Sequence, residues 1–153
     1  MKRALTFIAV AAGVCPALSV RADDTYQVSN TDAVVTVGGK GKASVTIAAK
    51  KGWHLNQEAP LTLKLGTTAG IETDKAKLVR SDLAMSSEAQ ARFEVGITAS
   101  EPGKKSLEAE AGFVLCQESA CRPVKDKVTI AVDARPERAE PTKETGKKTV
   151  KKK

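Results

Sequence analysis

The sequence predicts an all-β chain folded as a two-layer antiparallel sandwich. Three observations carry this: apolar residues recur with period two, glycine and proline punctuate the runs, and helical periodicity is nearly absent. In chain order, Tyr26–Ser29 and Val34–Val37 are weak strand candidates, and Ala43–Ala48 and Leu61–Leu65 alternate cleanly. Lys77–Val79 is a third weak candidate. Asp82–Ala91 is the one segment with helical character, from several alanines around Ser86-Ser87-Glu88. Phe93, Val95 and Ile97 share one face, and Leu107, Ala109, Ala111, Phe113 and Leu115 share another. Val128, Ile130 and Val132 close the set, and Gly38-Gly39, Gly66, Gly70 and Pro102-Gly103 supply turns. Seven or more short strands between about Asp32 and Ala134 fit an immunoglobulin-like antiparallel β-sandwich. Leu63, Phe93, Val95, Ile97, Phe113, Ile130 and Val132 are its expected core. No internal repeat is visible.

The first 22 residues read differently. Lys2 and Arg3 precede an apolar run to about Val20, and Val20-Arg21-Ala22 ends it with small residues at the −3 and −1 positions. This is the build of a secretory signal peptide, with the mature chain beginning near Asp23. Pro16 breaks the run, which is short for a membrane span of about 20 residues. A retained anchor and a lipoprotein cut at Cys15 are the alternatives; Ala12-Gly13-Val14 places a bulky valine where a lipobox prefers a small residue. Residues 1–22 are thus expected to be a leader, 23–134 the folded domain and 135–153 a disordered Lys-rich tail. The expected location is periplasmic or secreted.

Charge follows the same division. The chain carries 25 basic and 18 acidic residues. The tail holds eight Lys or Arg and three Glu, whereas 23–134 holds 14 basic and 15 acidic residues. The folded part is near neutral, so the high net charge does not describe a basic binding face. With Val150 as its only large apolar residue, the tail buries too little surface to offset its ordering entropy. Lys151-Lys152-Lys153 supports at most weak contact with an anionic membrane surface. At 3% aromatics, a nucleic-acid module built on stacked bases is not expected. The chain has one histidine, His54, and no Gly-rich phosphate loop. Ser86-Ser87 has no base near it in sequence, which argues against hydrolase chemistry. No cofactor and no metal are expected, and the domain is expected to be a monomer.

Chemistry is best sought at Cys116 and Cys121. An even cysteine count after the leader, in an exported chain, reads as one disulfide. The pair brackets the turn Gln117-Glu118-Ser119-Ala120 at a strand end. So short a loop yields roughly 2 kcal/mol by loop closure, against about 4–5 for a loop of 100 residues. A staple serving stability alone would more naturally join distant strands, and a local bridge is easier for a partner thiolate to reach. A redox role and a structural brace both stay open on spacing alone; zinc lacks ligands, since His54 is the only imidazole.

Three motifs resemble one family. Lys51-Gly52-Trp53-His54-Leu55-Asn56 is similar to its Gly-aromatic-His stretch after an early strand, Gly112-Phe113-Val114-Leu115-Cys116 leads into the pair, and Cys121-Arg122-Pro123 precedes a closing strand. The family is the N-terminal periplasmic domain of the bacterial transmembrane thiol:disulfide interchange reductase, the disulfide bond corrector proteins. The resemblance spans about Asp32 to Ala134. It implies an immunoglobulin-like sandwich whose redox pair, carried over to Cys116 and Cys121, accepts reducing equivalents from a thioredoxin-like partner and passes them to other exported proteins. It also points to Cys121 as the sulfur attacked first. Two departures stand out. Members usually continue into a membrane electron carrier and a thioredoxin-like domain, so an electron source is expected to come from elsewhere. Their cysteines are shielded by a cap loop often bearing aromatics; the matching stretch, Arg80–Ala89, has none, leaving Leu83 or Met85 for that role.

Other residues have simpler expected roles. Trp53 is a core or sheet-edge aromatic. His54, alternating with it, faces solvent. Glu118, Lys125 and Asp126 are turn residues near enough in sequence to bias a thiol pKa. Pro123 shapes the chain after the pair.

Overall fold

The computed structural model describes residues 24–137, together with the backbone of Arg21–Ala22. Residues 1–20 of the expected leader (1–22) and residues 138–153 of the expected tail (135–153) lie outside the described residues. Among the described residues the chain forms twelve strands and one short 3-10 turn.

One sheet runs β1 (Arg21–Ala22), β2 (Tyr26–Asn30), β4 (Lys40–Ala49), β10 (Gln90–Ala99) and β7 (Ile71–Thr73), with β9 (Leu83–Ser86) also paired to β10. The other runs β3 (Ala33–Thr36), β12 (Ala120–Arg135), β11 (Gly103–Gln117), β6 (Thr62–Leu65) and β8 (Lys77–Val79), with β5 (His54–Leu55) also on β11. All pairings are antiparallel except β3 with β12. The sandwich expected from the alternation is therefore present, with one parallel edge strand that the sequence did not announce.

The period-two runs do what their pattern requires. Val45 and Ile47 on β4 and Phe93, Val95 and Ile97 on β10 turn inward, facing Leu63 on β6, Leu107, Phe113 and Leu115 on β11, and Ile130 and Val132 on β12. All seven expected core residues are buried. Tyr26 meets Phe113 edge-on across the layers, with ring centroids 5.2 Å apart, a favoured aromatic geometry. Burying large side chains of this kind contributes roughly 1.5–3 kcal/mol each against the entropy of ordering the chain.

The helical expectation for Asp82–Ala91 is wrong. A 3-10 turn at Arg80–Asp82 leads straight into β9, and the chain reverses at Ser87–Ala89 before β10. Ser87 builds that reversal: its N–H donates to the Gln90 carbonyl at 2.8 Å, and its hydroxyl accepts the Gln90 N–H at 3.0 Å. Ladder bonds to β10 and the packing of Leu83 against the core outweigh the modest helix propensity of a few alanines.

Candidate functional site

The longest hairpin in the molecule carries the cysteines. β11 and β12 pair from Gly103 with Ala134 through to Gln117 with Ala120, leaving Glu118 and Ser119 as a two-residue turn. Among the described residues no non-glycine residue takes a positive φ, so this turn is not the primed type that best matches hairpin twist. Cys116 and Cys121 form the next rung and are joined by a disulfide, with Cα atoms 4.0 Å apart. A two-residue turn is flanked by a hydrogen-bonded pair, so the next rung is the non-hydrogen-bonded kind, where opposing side chains approach most closely. The register thus sets the two sulfurs side by side.

The two cysteines are not equivalent. Cys116 is 4% exposed, whereas Cys121 is exposed. Topology explains the difference. Cys116 lies on an interior strand, with His54 of β5 as its register partner on the side away from Cys121. β12 has a neighbour on its far side only at Val132–Arg135, where β3 pairs with it. Among the described residues no strand flanks β12 beside Cys121, and that sulfur stands at an open sheet edge.

The segment after β5 closes over Cys116. Lys50–Trp53 is a tight turn, its Trp53 N–H donating to the Lys50 carbonyl at 2.9 Å. Gly52 occupies the φ of +86° that this turn needs, a conformation costly for any residue with a Cβ. The turn aims His54 outward and Leu55 into the core, as alternation predicts. Trp53 is half-buried against the core, with the Arg122 guanidinium 5.4 Å from its ring centre, near enough for a cation–π contact. Arg122 also donates to the Thr25 hydroxyl.

Asn56 is the residue sequence reasoning missed. Its Nδ2 donates to Cys116 Sγ at 3.6 Å. Its Oδ1 accepts the backbone N–H groups of Glu58 at 2.8 Å and Ala59 at 3.0 Å. That turn is pinned from behind: Arg80 Nη2 donates to the Asn56 and Ala59 carbonyls at 2.8 and 2.7 Å. Gln57 adds a 2.7 Å bond to the Ser87 carbonyl and accepts the Ser86 hydroxyl at 2.9 Å. The only sequence signal was the position of Asn56 at the end of the Gly-Trp-His-Leu-Asn stretch; its target lies 60 residues away.

The stretch Arg80–Ala89 was expected to shield the cysteines through Leu83 or Met85. Leu83 packs against the core instead, and Met85 is 40% exposed. The stretch acts at one remove, by holding the turn that carries Asn56. Sequence proximity also misleads at Asp126, which is buried and faces inward with Val128, whereas Cys121 faces outward. Pro123 and Lys125 share the outward face of β12 with Cys121, opposite Val114 and Gly112, and Glu118 is exposed in the turn. Among the described residues no three His, Cys, Asp or Glu side chains converge as a metal site requires. A cavity of about 220 Å³ lies between Leu65, Asp74, Lys75, Leu78, Asp82, Glu94, Val95 and Gly96, and neither cysteine lines it.

No family model matches the chain, and no curated protein matches it. Solved structures do. The N-terminal periplasmic domain of ScsB from Proteus mirabilis aligns with 71% of this chain and 47% of its own, at 13% identity and a TM-score of 0.41. A protein of unknown function from Porphyromonas gingivalis aligns with 74% of this chain and 49% of its own, at 12% identity and 0.41. AggA, the major subunit of aggregative adherence fimbriae type I from Escherichia coli, aligns with 81% of this chain and 99% of its own, at 12% identity and 0.37. The chain spans about half the length of the first two. These likenesses are too distant to assign a function, and the architecture rests on the strand ladders themselves.

Proposed function

We propose that this chain is an extracytoplasmic thiol:disulfide exchange domain, relaying reducing equivalents through Cys116 and Cys121 between a thioredoxin-like partner and another exported protein. The observation that carries this reading is the asymmetry of the pair: an exposed cysteine at an open sheet edge, bonded to a buried one. Exchange requires a thiolate to approach one sulfur along the S–S axis. Cys121 is open to that approach. Cys116 is buried, with β5 paired beside it and the Asn56 amide on its sulfur.

The motif resemblance around Lys51–Asn56 and Cys116–Pro123 supports the same reading. The basic, apolar leader pattern over residues 1–22 supports an extracytoplasmic location, and no helix among the described residues is long and apolar enough to cross a membrane. One observation favours a competing role as a brace: the unprimed Glu118–Ser119 turn sits directly ahead of the disulfide and gains from a tie behind it.

The test is trapping in the native compartment. The full chain is expressed with Cys116→Ala or Cys121→Ala, and free thiols are blocked on harvest. The Cys116→Ala protein, which keeps Cys121, is expected to accumulate a mixed disulfide with a thioredoxin-like protein. The Cys121→Ala protein is expected to accumulate far less. Absence of any covalent partner in both would support the brace.

A further inference from the structure

We infer that Asn56 is a positioning residue that makes Cys116 the leaving sulfur of the exchange; the direction of exchange rests on the function proposed above, but the effect of Asn56 on the thiol does not. The amide is oriented by its surroundings. Two backbone N–H groups occupy Oδ1, which an NH₂ group cannot accept, so Nδ2 is the end directed at Cys116 Sγ. Arg80 holds the same turn through two carbonyls, so the donor is fixed in place before any partner arrives. An N–H donor beside a sulfur favours the thiolate over the thiol.

The step balances as follows. A partner thiolate attacks Cys121 Sγ, forming a bond between the partner's sulfur and Cys121. The Cys116–Cys121 bond breaks, and Cys116 Sγ leaves with the electron pair as a thiolate, accepting the Asn56 hydrogen bond. The partner's second thiolate then attacks its own sulfur in the mixed disulfide and releases Cys121. The partner dithiol is oxidised to a disulfide, the pair here is reduced by two electrons, and the partner's two protons end on Cys116 and Cys121 by way of solvent. A leaving thiol of lower pKa departs faster, so the amide accelerates the first step. Attack at the wrong sulfur is disfavoured because β5 and Asn56 occupy that side.

Asn56→Asp separates this role from folding, because the carboxylate still accepts the Glu58 and Ala59 N–H groups while the donor to sulfur is lost. The titratable groups around Cys116 are His54 across on β5 and Cys121 on β12, with Arg80 behind the Asn56 turn. The full chain carrying Cys121→Ser isolates the Cys116 thiol, and its alkylation rate against pH gives the thiol pKa. With Asn56→Asp added, that pKa is expected to rise by about one unit or more. Asn56→Ala, which adds no charge, is expected to raise it as well, and this variant decides the matter if Asn56→Asp lowers the melting temperature. An unchanged pKa in both overturns the role of Asn56. If the pKa rises as expected while the two-cysteine protein fails to exchange with reduced thioredoxin, the exchange function fails and the local role of Asn56 stands.

Discussion

Reducing the Cys116–Cys121 bond should leave the sandwich folded. The bond closes a loop with a sequence separation of 5, so the loop-closure relation assigns it roughly 2 kcal/mol. Reduction, unlike substitution, removes no side-chain volume and opens no cavity. The rest of the hairpin remains zipped behind the pair, from Leu115 opposite Arg122 down to Gly103 opposite Ala134. Its inward residues Leu107, Phe113, Leu115, Ile130 and Val132 keep their places in the core. Domains of this size are stable by about 5–15 kcal/mol, so a loss of 2 shifts the folded population without abolishing it. At about 4 °C per kcal/mol for a chain of this length, the melting temperature should fall by roughly 8 °C. Far-ultraviolet circular dichroism, recorded on heating with and without a phosphine reductant, reads this directly. A reduced protein already unfolded at 25 °C would make the bond a structural requirement.

Three further outcomes follow from the fold. Phe93→Ala, at a fully buried position on β10, should cost about 3–5 kcal/mol by denaturant titration; a loss below 1 would mean that the core does not converge there. Gly52→Ala places a Cβ at φ +86° with open space around it, so strain alone should cost about 1–2 kcal/mol, again by denaturant titration, and a neutral result would mean that the turn relaxes. Asp82 is held below the usual carboxylate range, first by its bond to Lys75 and then by the Val79 N–H. Its lowered folded-state pKa gives stability that is present above its unfolded value near 3.9 and is lost as pH falls through the folded one. Asp82→Asn should therefore flatten the stability profile below about pH 4, and an unchanged acid limb would count against the Lys75 contact.

Much of this architecture could be read from the chain because inward and outward residues alternate wherever a strand has one dry face. Phe93, Val95 and Ile97 show it, as do Leu107 through Leu115. The signal fails where that condition fails. Leu83–Ser86 is a largely exposed edge strand, so it shows no alternation, and Ala84 together with Ala89 and Ala91 beyond it reads as helix. Ala33–Thr36 was visible as a strand, but its parallel pairing with Val132–Arg135 is a long-range choice with no local trace. At the site, the cysteine pair was legible from spacing and motif. The unequal exposure of its two sulfurs was not, because it depends on which strand stops short beside which. Asn56 was invisible as a participant for the same reason: its turn is local, but its target is a sulfur on a distant strand.

Whether Cys116 and Cys121 exchange is decided by the reduction potential of their bond. The full chain is equilibrated with a series of thioredoxin and glutathione couples, and the fraction reduced is counted by thiol labelling. An exchanging pair should have a potential no more negative than about −270 mV, so that a thioredoxin-like reductant poised there reduces at least half of it. A bond that stays oxidised against that reductant would show that Cys116 and Cys121 brace the hairpin and relay nothing.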